Sequence, residues 1–365
     1  MAKTSFSPPK LPPSINYEKL VADIARAHAS ISKLDVLLSQ LKNPSLVART
    51  LATREAVLSS QIEGTQATLS EVLEQEAMDS QKEDTAKEKD FREIINYRHA
   101  LEQGVEKLKE RPLTESLIKE LHAILLRSAR GHNRGPGEFR RKLVYIGKPG
   151  STIDEATYVP PLPDAIPELF SDLEKYIHSD EREVLVQIGV VHYQFEAIHP
   201  FEDGNGRIGR LLISLMLYKK KLLSYPFIYL SEFFEEHRRD YYDLLNGVSE
   251  KDDWENWLVF FLRGLNIQAQ KTQETCQDIL NLHEELRSKA LGLNSKYAHE
   301  FLDAIFVNPF FNSVAIRRLS GIKNTQTLFT LISKFKAAGI IEDVAFWKKR
   351  NKIYRFPALL EILNK

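Results

Sequence analysis

The stretch His199-Pro-Phe-Glu-Asp-Gly-Asn-Gly-Arg-Ile-Gly-Arg210 gathers, within one turn, the groups that a phosphate-transfer reaction needs. His199 is the only one of them with an ordinary pKa near neutrality, which makes it the natural general base. Asp203 offers a hard carboxylate oxygen that could hold Mg²⁺ against phosphates. Gly204-Asn205-Gly206 lets the backbone adopt conformations that bulkier residues resist, so several N–H groups can converge on one anion. Arg207 and Arg210 are three apart, so on a helix both guanidinium groups can face one ligand. Base, metal ligand, anion hole and two cations describe a phosphoryl- or nucleotidyl-transfer site. A His-Pro turn or a Gly-Asn-Gly loop alone is usually structural; the joint string carries the chemistry.

The flanking sequence says how the string must be held. Val184, Leu185, Ile188, Val191, His192 and Phe195 mark one apolar helical face before it. Ile208, Leu211, Leu212, Leu215 and Met216 mark another after it. The string is thus a loop between two buried helices, ending at a helix N-terminus whose dipole favours anions. His192, in register with apolar neighbours, reads as a packing histidine.

The chain has 365 residues, too many for one ordinary core, so two or three folding units are expected. Lysine plus arginine balance aspartate plus glutamate at 50 each, which excludes a general polyanion binder. One cysteine, Cys276, excludes an internal disulfide or a cysteine-based metal cluster and fits a reducing, cytoplasmic setting. No apolar run is long enough to cross a bilayer, and the N-terminus lacks a signal-peptide core.

A proline-rich arm (SFSPPKLPPS) opens the chain, and helical spacing follows from Tyr17 to about Met78. The polar stretch Ser80 to Asp90 reads as a loop or the solvated start of the next helix. Phe91 to about Asn266 is helical apart from Arg141 to Leu162, where β-branched and aromatic runs flank Gly-Lys-Pro-Gly and predict a β-hairpin. One hairpin in a helical domain is a flap. Gln268 to Arg287 reads as a linking helix. From Lys296 two short helices, a third over Thr325 to Ala338 and two strand-like runs (Ile340 to Phe346, Lys352 to Phe356) give the order of a winged helix. The expected units are residues 1–90, 91–266, 267–295 and 296–365, in a mainly α fold.

The twelve-residue string resembles the signature of the Fic family, His-Pro-Phe-x-(Asp/Glu)-Gly-Asn-Gly-Arg-x-x-Arg, with every specified position filled. The resemblance runs over roughly Leu11 to Leu265, and a winged helix is a common C-terminal addition. It implies a Fic-type helical domain whose hairpin flap holds a target segment, and a protein adenylyltransferase moving AMP from ATP to a Ser, Thr or Tyr hydroxyl. Carried over by position, His199 deprotonates the hydroxyl and Phe201 anchors the loop. Asp203 holds Mg²⁺. Gly204, Asn205 and Gly206 cradle the phosphates with Arg207, beside Ile208 and Gly209, and Arg210 binds the γ-phosphate. Gly206 is intact, which favours AMP transfer. In Leu230 to Tyr242, which resembles the region after the motif, an Asn often stands where this chain has His237; His237 and Tyr242 are the nucleotide-site candidates there.

Upstream, Ser59 and Glu63 lie four apart on one helical face, and Gly64 is a natural helix stop. The string resembles the family's inhibitory motif (Ser/Thr)-x-x-x-Glu-(Gly/Asn), placed N-terminally as in its second class. It implies that Glu63 pairs with Arg210 and denies it to the γ-phosphate; such a charge-assisted pair is worth roughly 1.5–3 kcal/mol. From Lys296 to Lys365 twelve Lys/Arg face five Asp/Glu, with Lys348-Lys-Arg350 and Lys352 at the wing and Thr325, Gln326 and Thr327 opening a recognition-type helix. Two other functions remain open: a DNA-binding regulator using the Fic domain as nucleotide sensor, and removal of AMP at the same site. The sequence also leaves room for a homodimer.

Overall fold

The computed structural model describes residues 5–41, 43–78, 85–127, 129, 134–147, 150, 152–344 and 352–365. Helices dominate. The N-terminal part holds α1 (Val21–Ser39), α2 (Ser45–Ile62) and α3 (Leu69–Met78). Then come α4 (Ala86–Leu108), α5 (Glu115–Leu125), α6 (Ile166–His178), α7 (Val184–Ile198) and α8 (Asn205–Lys219). After these lie α9 (Ser231–Glu236), α10 (Arg238–Lys251) and α11 (Trp254–Leu291). Thr85, Thr114 and Asp253 start α4, α5 and α11 by accepting a hydrogen bond from a first-turn N–H, the ordinary role of a short polar side chain at that position.

Helix α7 is buried on nearly every face and is wrapped by α6, α8 and α11, so the sequence between α7 and α8 is held from both sides. Helix α2 packs against α4 and α9, and α1 runs along α11. Helix α11 continues unbroken through residues 266 and 267, so the last helix of the catalytic region and the linking helix are one rod. No helix among the described residues is long and apolar enough to cross a membrane.

The C-terminal part contains α12 (Ala298–Val307), β1 (Phe310–Asn312), α13 (Ser313–Ser320), α14 (Thr325–Ala337), β2 (Glu342–Asp343), β3 (Ile353–Arg355) and α15 (Pro357–Leu363). The sheet is antiparallel in the order β1-β3-β2, pairing Phe310 with Arg355 and Glu342 with Arg355. The sequence reading missed β1, because three residues are too few to show alternation. This part sits on the N-terminal helices: α12 and α15 pack against α2, and Asn312 Nδ2 donates to the Ala77 carbonyl at 2.7 Å. The wing residues Lys348, Lys349 and Arg350 lie outside the described residues, as do Ser80 to Asp84; residues 86–90 open α4.

The expected hairpin at Arg141 to Leu162 is a looser object than two strands. Among the described residues it closes through one antiparallel bridge, Ile146 with Tyr158. Pro160 and Pro161 have no N–H to extend a ladder, and Ile153–Glu155 turns as a 3₁₀ helix. Lys148, Pro149 and Ser151 of the turn lie outside the described residues. On its far edge the segment meets the N-terminal arm, where Phe6 N–H donates to the Val159 carbonyl at 2.9 Å.

Candidate active site

Helix α7 ends at Ile198, and His199 caps it in the left-handed region at φ 49°, ψ 60°. A non-glycine residue adopts that conformation only where its surroundings impose it. The imidazole Nδ1 is buried with no hydrogen-bond partner among the described residues. Burial, and then the neighbouring Arg140 guanidinium, push the His199 pKa down to about 4, against the opposing pull of the Glu196 backbone, Glu63 and Asp203. At neutral pH the ring is therefore uncharged and able to take a proton.

The turn that follows is pinned from inside. Asn205 is buried, with Oδ1 accepting from Phe201 N–H at 2.8 Å and Nδ2 donating to the Phe201 carbonyl at 2.9 Å. Its side chain holds the loop's shape. Phe201 is fully buried and stacks on His122 at 3.8 Å with planes 9° apart. His122 Nδ1 accepts from Gly137 N–H at 2.9 Å, so Nε2 carries the proton and donates to the Asp203 carbonyl at 2.9 Å. Gly204 begins α8 at φ 80°, a conformation that favours glycine.

The two arginines part company. Arg207 lies 2.8 Å from Glu93 of α4 and 2.8 Å from the Asp203 carboxylate, so it also braces the loop. Arg210 reaches α2: Nε donates to Ser59 Oγ at 2.8 Å, and Nη2 donates to the Ser59 carbonyl at 2.8 Å and to Glu63 Oε1 at 2.7 Å. Glu63 caps the end of α2, and Gly64 follows at φ 95°. The Glu63 carboxylate lies so close over Gly206 that a Cβ there would overlap Oε1. It thus occupies the N-terminal turn of α8, where an external anion would bind. Burial opposes its charge, but Arg210 and Arg207 more than compensate and hold its pKa below the usual carboxylate range.

Beside the turn, between the flap and α10, opens a cleft of about 390 Å³ lined by Ile146, Tyr158, Glu196, Tyr242, Leu245 and Asn246 among others. The size and apolar walls suit a small-molecule ligand. Glu196 closes its inner end, its carboxyl packed against Gly209 and its pKa raised to about 8 by burial, with Arg210 opposing. Tyr242 is in this cleft; His237 is not. The His237 ring lies on Phe233 at 4.4 Å and Nδ1 bonds the Phe233 carbonyl at 3.0 Å, at the joint between α9 and α10. Ile208 faces the core, and the Gly209 carbonyl accepts from His192 Nδ1 at 3.1 Å. His192 Nε2 then accepts from Tyr241 at 2.9 Å, as a satisfied core histidine should.

Sequence reasoning overlooked Glu93, His122, Arg140, Glu196 and Glu55. Two left a signal. Glu93 shares a helical face with Ile94, Tyr97 and Leu101, and His122 shares one with Ile118 and Leu125, so both are polar groups on apolar faces. Glu55 is buried in α2, where it accepts from Tyr97 at 3.0 Å and Ser231 at 2.5 Å, and burial raises its pKa to about 7. Asp203 supplies one carboxylate at the mouth of the loop. Mg²⁺ bound largely through substrate phosphates needs only one or two, so the residue fits that ion.

A left-handed histidine cap leading into a glycine-started helix, with buried arginines behind it, defines a helical domain with a tightly held turn between two buried helices. Comparison with known proteins is specific about which one. The model of the Fic/DOC family N-terminal region matches residues 21–106, and that of the Fic/DOC family matches residues 112–217. The chain belongs to the Fic/DOC family. It is 26% identical over 244 residues to a probable protein adenylyltransferase of Aquifex aeolicus, covering 66% of this chain and 68% of that protein. It is 34% identical over 119 residues to the protein adenylyltransferase Fic of Aedes aegypti, covering 32% of this chain and only 21% of that longer protein. In fold it is similar to a Fic family protein from Desulfovibrio desulfuricans, with a TM-score of 0.60, 22% identity and 94% and 98% of the two chains covered. A Fic domain containing signaling protein from Bacteroides thetaiotaomicron follows, with a TM-score of 0.54, 21% identity and 70% and 97% covered.

Proposed function

We propose that this chain is a protein adenylyltransferase that transfers AMP from ATP to a hydroxyl side chain of a protein and is restrained by its own Glu63. The observation that carries the reading is the Glu63 carboxylate lodged over Gly206 and bonded to Arg210: the turn is built for an anion, and the chain supplies one of its own. Neutral His199 takes the proton of the attacking hydroxyl. That oxygen bonds to the α-phosphorus, the bond to the β-phosphate breaks, and pyrophosphate leaves, so the product is a phosphodiester. The α8 N-terminus with Gly204 and Gly206 receives the phosphates, Arg210 the γ-phosphate, and the cleft beside Tyr242 the adenine. Asp203 is the residue that would hold Mg²⁺, which supplies neutralisation of phosphate charge.

The test is His199→Ala in the chain freed of Glu63. Label transfer from an ATP analogue should fall by about 10²- to 10⁴-fold while ATP binding by calorimetry persists. Transfer at the parent rate would remove His199 as the base. Mass spectrometry after incubation with Mg·ATP should show the gain of one AMP. A cytoplasmic location belongs to the same reading, which leaves the oligomeric state open.

A second reading adds DNA. Thr325 and Gln326 open α14 in solvent, and Arg318, Lys323 and Lys352 are exposed, which supports reading this part as a winged helix that meets phosphates. A gel shift with random duplex at low salt should show retardation that salt abolishes; none would leave the C-terminal part a protein-docking unit.

A further inference from the structure

The last turn of a helix leaves its carbonyls without intrahelical partners, and a cation there is favoured by the helix dipole. At the end of α7 the flap base supplies those partners one after another. Tyr158 OH donates to the Ala197 carbonyl at 2.7 Å. Arg140 Nη2 lies 3.4 Å from the Ile198 carbonyl, Arg140 Nε donates to the His199 carbonyl at 2.8 Å, and Arg140 N–H donates to the Pro200 carbonyl at 2.9 Å. The same guanidinium turns outward to the flap, donating to the Pro161 carbonyl at 2.6 Å and the Lys142 carbonyl at 3.2 Å. Arg140 is 2% exposed, and the bonds found for it run to main-chain carbonyls.

We propose that Arg140 is a positioning residue for the transfer reaction: it locks both limbs of the flap to the backbone of the His199 turn. Its planar fork satisfies acceptors on two segments at once, which a lysine ammonium on a flexible stem does not reproduce. Two consequences follow. His199 is held in its left-handed conformation by bonds to its own carbonyl and its neighbours'. A protein segment laid on the flap is also brought to a fixed distance from the imidazole, so that docking and proton transfer share one frame. A loss of alignment near 1 Å is enough to slow a reaction about 100-fold.

This inference rests on the reading of His199 as the base, and the experiment separates the two. In the Glu63→Gly chain, Arg140→Gln, Arg140→Lys, Tyr158→Phe and His199→Ala are compared by label transfer per ATP-binding site, with the number of sites and the Kd for Mg·ATP measured by calorimetry. Normalising to binding sites removes any loss of folded protein. Arg140→Gln and Arg140→Lys should each lower turnover about 10- to 100-fold, with the nucleotide Kd within about 2-fold of the parent. Tyr158→Phe, which deletes one donor of the same clamp, should lower it less. Should Arg140→Gln not fold, Arg140→Lys and Tyr158→Phe carry the test. Parental turnover in Arg140→Lys, with His199→Ala silent, overturns the positioning role and leaves the base intact. Transfer surviving His199→Ala overturns both.

Discussion

Arg207 and Arg210 stand one helical turn apart on α8, both nearly inaccessible, yet their carboxylate partners differ sharply. Glu93, facing Arg207, has a side chain 3% exposed, whereas Glu63, facing Arg210, is 35% exposed. Glu93 comes from the middle of α4, with helix on either side of it. Glu63 is the C-terminal cap of α2 and precedes a glycine in the left-handed region. A buried pair whose acid lies inside a helix opens only when that helix unfolds. A pair whose acid sits at a helix end, against solvent, can open by local movement. One arginine is thus committed to structure, and the other is available to a ligand whenever its glutamate leaves.

The largest effect is expected at the Glu93–Arg207 pair. Glu93→Ala leaves the Arg207 charge without its α4 partner and should destabilise the fold by about 3–5 kcal/mol, read as a lower urea midpoint, without raising self-labelling. Increased labelling with unchanged stability would make Glu93 a second brake. On the other side, Glu63→Gly should raise self-labelling about 10- to 100-fold, because the lost interaction is worth roughly 1.5–3 kcal/mol, and should lower the urea midpoint less than Glu93→Ala does. No increase removes Glu63 as the restraint. Since the Glu63 pKa is lowered, its pairing persists above the ordinary carboxylate range and fails only in stronger acid, so pH 5–8 should not release labelling in the unaltered chain.

The smallest effect concerns how α2 is anchored. Glu55, two turns before Glu63, has a folded pKa of about 7 against an ordinary value of 4.5. A raised carboxyl pKa means the folded state binds the extra proton, so its contribution is full below pH 4.5 and is lost as pH rises through 7. Urea midpoints at pH 5 and pH 8 should therefore decline in the parent and decline less in Glu55→Gln. Equal slopes would show Glu55 charged throughout.

The residues of the turn were legible because they are contiguous: His199 to Arg210 carry an imidazole, a carboxylate, glycines and arginines within one stretch, between two apolar helical faces. Ser59, Glu63 and Gly64 were legible for a related reason, since helical spacing and a helix stop are local properties. The flap was half legible. Its β-branched residues marked an extended segment, but Pro160, Pro161 and the 3₁₀ turn leave one bridge among the described residues. His237 shows the limit of neighbourhood along the chain: it stands five residues from Tyr242, yet the joint between α9 and α10 turns it onto Phe233 and away from the cleft.

The sequence by itself determined which chemical groups are present, where the helices bracket them and where the chain can turn. Only the tertiary structure decided how those groups are shared. Spacing gave both arginines the same face, but the positions of α4 and α2 gave them different acids, and Arg140, far from the turn in the chain, became the donor to its carbonyls. The reason is physical. Helical periodicity and glycine conformations are set within a few residues, whereas a guanidinium selects its partner from whatever carboxylate or carbonyl the packing of distant helices brings within about 3 Å.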